Sequence, residues 1–178
     1  NIPHKGPAVV VCNHVSYMDP IILAGSVRRP MRFVMWYKIF QMPFLNFIFR
    51  TMKAIPIAGA REDKTIMDDA FEKVDAELAA GNIVCIFHEG AITRDGEIAR
   101  FRPGIEKIIA RRPVPVIPAS LGRLWGGWLS RRPDGSMRLM PKRLFARVTV
   151  RFGELVPATE VTAARLELLV RTLRSDER

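Results

Sequence analysis

The stretch Ala8-Val9-Val10-Val11-Cys12-Asn13-His14-Val15-Ser16-Tyr17-Met18-Asp19-Pro20 decides how this chain folds. Its first five residues read as a strand buried on both faces, and Asp-Pro is a good opening for a helix. Between Asn13 and Met18 the chain must turn. On a helix, residues five apart leave their side chains roughly 140° apart, and on a strand they face opposite sides. His14 and Asp19 can therefore meet only across a bend at a sheet edge. A simpler reading is also open at this point: Asp19 caps the helix and does nothing else.

Working outward, short β-branched runs alternate with helical patterns along the whole chain. That alternation marks an α/β sheet with helices packed on it. Strands are expected near 8–12, 31–36, 54–58, 83–87, 114–120 and 147–154, and helices near 19–27, 38–51, 64–80, 103–111 and 159–174. The expected fold is a single α/β domain over residues 1–178, with a mixed, largely parallel central sheet flanked by helices. In the helix at 64–80, Met67, Phe71, Val74 and Leu78 recur opposite Asp68, Glu72 and Asp75, and Gly81 supplies the stop. In the last helix Leu166, Leu169, Val170 and Leu173 form one stripe behind an expected Thr159 cap. The segment from Met31 to Phe49 is apolar all round, so it is either deeply buried or faces lipid or an acyl chain. Pro43 should divide its helical part into two short pieces.

A second constellation follows the run Ile83-Val84-Cys85-Ile86-Phe87, which ends in His88-Glu89-Gly90. A carboxylate followed by glycine then stands at the same sheet edge to which strand 8–12 delivers His14, and ligands of open α/β sheets bind at such strand ends. Arg94, Arg102 and the helix opening at Pro103-Gly104 would together form a phosphate site.

Composition sets wider bounds. Hydrophobic residues make up 48% of the 178 and aromatics 8%, which excludes a disordered chain. The net charge is +10, and 21 of the 28 basic residues are arginine, so an anionic partner is expected: nucleic acid, a phosphorylated ligand or an acidic membrane face. Cys12 and Cys85 lie in apolar runs and no metal-ligand spacing such as Cys-x-x-Cys occurs, which points to a reducing setting and no metal site. The longest charge-free stretch, Gly6 to Met18, is too short to span a bilayer. Two tryptophans, Trp125 and Trp128, sit in a glycine-rich turn flanked by arginines, a pattern of an interfacial membrane anchor or of a solvated basic loop with its indoles in the core. The abrupt ends, a strand at the start and a charged helix at the close, suggest a domain cut from a longer polypeptide.

The residues resemble those of the glycerolipid, or lysophospholipid, acyltransferases. Their first motif, Asn-His-x-Ser-x-x-Asp, is matched by Asn13, His14, Ser16 and Asp19. A second, Ile-Phe-Ile before an arginine, resembles Ile55-Pro56-Ile57 before Arg61. The third is matched by Phe87, Glu89 and Gly90, then Asp95-Gly96-Glu97, then Phe101, Arg102 and Gly104, and the fourth by Val114, Pro115, Ile117 and Pro118. The four occur in order over residues 8 to 155. Within the family the run from Glu89 to Glu97 is most similar to the acyltransferase domain of bacterial fusions that join a lysophospholipid transporter, an acyltransferase and an acyl-carrier-protein synthetase. Three positions depart from the pattern: His88 replaces the usual proline, Ile92 stands where phosphatidate-forming members have an arginine, and Arg61 lies two residues beyond the usual place.

The resemblance implies transfer of a fatty acyl group from acyl-CoA or an acyl-carrier protein to the hydroxyl of a lysophospholipid, with no cofactor and no metal. His14 would be the general base and Asp19 its orienting partner, while Glu89, Gly90, Arg94, Arg102 and Arg61 would bind substrate. It implies an anionic membrane surface and other domains of the same polypeptide as partners, at the cytoplasmic face of the inner membrane. In that setting the Met31 to Phe49 segment would wall the acyl groove and the Trp125 and Trp128 loop would dip into the membrane. Formation of phosphatidate from 1-acylglycerol 3-phosphate is the alternative reaction. Two other classes fit less well. A basic nucleic-acid binder would explain the charge, but no recognition helix or RNP-type strand is evident. A hydrolase would need a nucleophile, and Gly-x-Ser-x-Gly is absent.

Overall fold

The structure, a computed structural model, describes residues 2–41, 43–59, 61–125, 130, 134, 136 and 148–175. Its centre is a six-stranded sheet: β1 (Ala8–Cys12), β2 (Met31–Trp36), β3 (Ile55–Ile57), β4 (Ile83–Phe87), β5 (Val116–Gly122) and β6 (Thr149–Phe152), in the order β3-β2-β4-β1-β5-β6. The first five strands are parallel and β6 alone runs antiparallel, against β5. The mixed, largely parallel sheet expected from the sequence is present.

β1 and β4 are central neighbours, with Val10 opposite Cys85 and Cys12 opposite Phe87. Every residue of β1 is buried. Because side chains alternate, Val9 and Val11 join one core with Val84 and Ile86, while Ala8, Val10 and Cys12 join a second core with Ile83 and Cys85. Each core lies under its own helices. α3 (Lys64–Ala79), α4 (Gly104–Arg111) and α5 (Ala163–Ser175) cover the first face with Ala70, Val74, Ile105, Ile108, Leu166 and Val170. α1 (Asp19–Gly25), a 3₁₀ turn (Tyr37–Gln41) and α2 (Pro43–Thr51) cover the second with Leu23, Ile39 and Phe49. Pro43 begins α2, so the divided helix read from the sequence is what forms.

Two local readings need correction. Asp19 opens α1, but Met18 is the cap residue and no side chain caps it. The Asp19 carboxylate is instead turned back onto the preceding bend. Thr159 does not cap the last helix; it lies in a separate 3₁₀ turn, Ala158–Glu160, which the extended Val161 ends. Thr162 takes its place, its hydroxyl accepting from Arg165 N at 3.2 Å. Pro56 sits on the edge strand β3, where a missing donor is tolerated.

Candidate active site

The chain leaves β1 through α1 on one face of the sheet and leaves β4 through α4 on the other. Adjacent parallel strands with connections on opposite faces open a crevice at their carboxyl ends, and ligands of such sheets bind there. His14 follows β1, Glu89 follows β4, and both stand at this crevice.

The bend between them is held from every side. His14 Nδ1 lies 2.7 Å from Asp19 Oδ2, and the same oxygen accepts from Val15 N at 2.7 Å and Ser16 N at 3.1 Å. Asp19 is fully buried, and its Oδ1 has no hydrogen-bond donor among the described residues. With Nδ1 facing a carboxylate that already accepts two amides, the imidazole carries its proton on Nδ1 and presents Nε2 outward. The ring lies against Phe87, 4.3 Å between centroids and 19° between planes, which fixes its tilt. Ser16 stays within the turn: its hydroxyl accepts from Met18 N at 3.1 Å.

Glu89 reaches the bend from β4. Oε1 accepts from His14 N at 2.9 Å and Oε2 from Ala99 N at 2.9 Å, so both oxygens are committed to backbone amides. Burial pushes its carboxyl above the ordinary carboxylate range, while the two amides pull it down. His14 O in turn accepts from Thr93 N at 3.0 Å, so the backbone of His14 is gripped at both ends by the loop that follows β4. Gly90, at φ +71°, turns that loop, and a Cβ there would stand 2.8 Å from Arg102 Cζ. The Arg102 guanidinium thus lies against the glycine backbone. Gly96, at φ +87° in the Asp-Gly-Glu turn, makes room for Trp125, whose Cδ2 would be 2.8 Å from an added Cβ.

An apolar cavity of about 490 Å³ runs from this crevice along the strand ends. His14, Gly90 and Arg102 stand at one part of it; Val34, Ile57, Val74, Ile86 and Ile108 wall its interior, and Trp36, Gly59 and Glu62 reach the surface. It crosses the ends of β1, β4, β2 and β3, a span of ~14 Å at the usual strand spacing. The volume lies in the range of small-ligand sites. Of the segment from Met31 to Phe49, Val34, Met35, Trp36 and Ile39 line it.

The structure therefore brings His14, Asp19, Glu89, Gly90 and Arg102 together. Arg94 and Arg61 are exposed and are not among the residues lining the cavity. His88 lines the cavity and packs on Phe101, ring centroids 5.4 Å apart; burial lowers its pKa to about 4, so the ring is neutral. Ile92 is buried in the cavity wall. Trp125 is half-buried against Gly96, and Trp128 lies outside the described residues.

Other residues support the site through contacts that the sequence does not disclose. Asn13, fully buried, donates through Nδ2 to Leu121 O at 3.1 Å and accepts at Oδ1 from Leu121 N at 2.8 Å, which extends the β1–β5 ladder by a side chain. Its place beside His14 in the first motif was the available clue. From α5, Glu167 accepts from Phe101 N at 2.9 Å, while Arg171 and Arg174 donate to Ile98 O and Gly96 O. They hold the loop that carries Ala99 N to Glu89.

Comparison with known proteins gives the family. A model of the family described as Acyltransferase matches residues 1–122. The chain is 30% identical over 122 residues to the chloroplastic 1-acyl-sn-glycerol-3-phosphate acyltransferase of Arabidopsis thaliana, covering 68% of this chain and 33% of that one. It is 29% identical over 128 residues to the 1-acyl-sn-glycerol-3-phosphate acyltransferase of Borreliella burgdorferi, covering 68% and 48%. An N-acylphosphatidylethanolamine synthase of Arabidopsis thaliana is 30% identical over 126 residues, covering 65% and 43%. The crystal structure of the 1-acyl-sn-glycerophosphate acyltransferase of Thermotoga maritima superposes with a TM-score of 0.68 at 23% identity, over 97% of this chain and 66% of that one, and so shares the fold. The chain belongs to the glycerolipid acyltransferase family. It spans between a third and a half of the length of these curated relatives.

Proposed function

We propose that this domain transfers a fatty acyl group from a thioester, acyl-CoA or an acyl-carrier protein, to the free hydroxyl of a lysophospholipid. The observation that carries the reading is His14, its Nδ1 held 2.7 Å from a buried carboxylate, at the wall of a long apolar cavity. An alcohol is a weak nucleophile at neutral pH, so a base must take its proton as it attacks. His14 Nε2 accepts that proton while the oxygen bonds to the thioester carbonyl carbon. The tetrahedral intermediate then expels the thiolate, which takes the proton back from Nε2. As a positioned base His14 contributes ~10²–10⁴-fold, and Asp19 stabilises the imidazolium formed between the two steps. The thioester is itself the activated donor, so neither a cofactor nor a metal is needed.

The apolar cavity suits the acyl chain, and Arg102 suits the phosphate of the acceptor as a planar fork of donors. Arg94 and Arg61 stand further out, in place to meet a headgroup or a donor phosphate rather than the reacting atoms. Glu89 acts through His14: it sets the bend that aims the imidazole. We place the domain at the cytoplasmic face of the inner membrane, joined to other domains of a longer polypeptide.

Phosphatidate formation is the second reading, favoured by the names of most relatives. Against it stands Ile92, a buried apolar residue where a phosphomonoester would want a cation. The test is to incubate the protein with lysophospholipids of different headgroups, 1-acylglycerol 3-phosphate included, each with acyl-CoA and with acyl-carrier protein, and to identify products by mass spectrometry. Diacylated phospholipid from a phosphodiester-headed acceptor supports the proposal. Phosphatidate alone supports the second reading, and no acylated product with any pair rejects both.

A further inference from the structure

We propose that the outer face of the 3₁₀ turn Tyr37–Gln41 and of α2 is the surface by which this domain docks on an anionic lipid membrane. The inference rests on the lipid-acceptor reading and assigns it a surface. Residues 20–61 carry seven basic side chains and no acidic one, and the acid that follows, Glu62, folds back onto the turn, where it accepts from Trp36 Nε1 and Tyr37 Oη. Arg32 and Lys38 have carboxylate partners, Glu77 and Glu62. Arg50 and Lys53 are exposed and form no ion pair among the described residues. The most exposed large apolar side chain of the described residues, Phe47 at 75%, stands on the same face of α2 as Arg50, one turn away. Trp36, 43% exposed, precedes the turn but lies on the Val34 side of β2, where its Nε1 donates to Glu62 Oε2 at 3.1 Å, so it is not part of this face. Phe47, left in water beside the exposed Arg50 and Lys53, matches an interface where rings enter the headgroup region and cations meet lipid phosphate.

Lys53 adds an independent sign. It sits at φ +51° in the left-handed cap of α2, where Lys53 N donates to Arg50 O and Ala54 N to Phe49 O. Glycine is the relaxed residue for that cap, so a lysine is held there against backbone preference. Charge across the fold gives the orientation. α3, on the opposite face of the sheet, carries five acids against Lys64 and Lys73; Glu72, Asp75 and Glu77 are paired with Arg111, Arg112 and Arg32, and the exposed Asp68 and Asp69 are what an anionic membrane repels. The docking face also adjoins the site, since Ile39 of the turn lines the cavity.

The test is co-sedimentation with phosphatidylglycerol and with phosphatidylcholine vesicles. The wild type should bind the anionic vesicles far better. Arg50→Gln with Lys53→Gly should lower partition roughly thirtyfold, as each basic residue at an anionic surface contributes about fivefold. Lys53→Gly relaxes the cap, so its melting temperature should not fall, which separates lost binding from lost fold. Phe47→Ser should weaken partition by about tenfold or more, and Leu168→Ala, an exposed residue on α5, should leave it unchanged. Turnover of a short-chain, monomeric lysolipid should be unaffected by these changes while turnover on vesicles falls. Variants that partition like the wild type would overturn the proposal. So would loss of binding to an acidic acyl-carrier protein with vesicle binding intact, which would make the face a protein-docking surface. Sedimentation needs no turnover, so a protein that docked as expected but acylated nothing would count against the proposed reaction and leave the docking standing.

Discussion

Replacing Asp19 by asparagine asks whether the carboxylate acts by charge, by geometry or not at all. Asp19 Oδ2 takes three donors, from His14 Nδ1, Val15 N and Ser16 N, and Oδ1 takes none among the described residues. In Asp19→Asn those three donors select the amide oxygen for the Oδ2 position and leave the amide nitrogen where Oδ1 was. Nδ1 of His14 therefore remains the donor and Nε2 the base. What is lost is the negative charge opposite the imidazolium. A hydrogen bond to a charged group contributes ~1.5–3 kcal/mol against ~0.5–1.5 for a neutral one, so kcat should fall by about 5–15-fold. The opposite amide orientation would invert the imidazole tautomer and cost nearer ~10⁴-fold, but it would set a donor against two backbone amides. The buried amide nitrogen without an acceptor should also lower stability by ~1–3 kcal/mol. Asp19→Ala, which leaves three buried donors unpaired, should lose ~3 kcal/mol or more. The assay is single-turnover acyl transfer at saturating donor, with urea unfolding in parallel. A kcat within threefold of wild type for Asp19→Asn would refute the role given to the carboxylate, and a 10⁴-fold loss would refute the orientation argument.

The neutral, buried His88 predicts an acid-sensitive fold. Its folded pKa, about 4, lies below the ordinary 6.5, so the unfolded chain takes up the proton first as pH falls. Its contribution is fully present above about pH 6.5 and is lost towards pH 4, on the order of 3 kcal/mol. His88→Leu should flatten the urea-midpoint profile between pH 7 and 4.5, and an unchanged acid slope would contradict this. Gly90→Ala forces a side chain into the left-handed region, at ~1–2 kcal/mol of stability, and pushes Arg102 aside. KM for the phosphorylated acceptor should rise more than kcat falls; an effect on kcat alone would remove Arg102 from acceptor binding.

What the sequence disclosed follows how local each interaction is. The His14 and Asp19 contact closes within five residues, so spacing alone required a turn there. The strand pattern of β1 and β4 was legible because both are buried on both faces. Their adjacency was not, since β1 pairs with a strand more than seventy residues away and the order depends on which helices cross which face. The role of Glu89 was hidden for the same reason: its partners are two amides, and main-chain groups carry no residue identity. The Thr159 cap misplaced the helix start by three residues because a second threonine, Thr162, stands after the extended Val161. Of the tryptophan-rich loop, Trp125 packs on Gly96 and Trp128 lies outside the described residues. The exposure of Phe47 could not be read from a segment in which nearly every position is apolar.

The central claim is that His14 is the base of an acyl transfer, and His14→Ala tests it most directly. The substitution leaves Asp19 Oδ2 its two amide donors from Val15 and Ser16 and leaves Glu89 its bond to the backbone of residue 14, so the fold is retained. Acylated lysophospholipid should fall by ~10²-fold or more beside an unchanged melting temperature. Wild-type-like turnover by a folded His14→Ala protein would contradict the account.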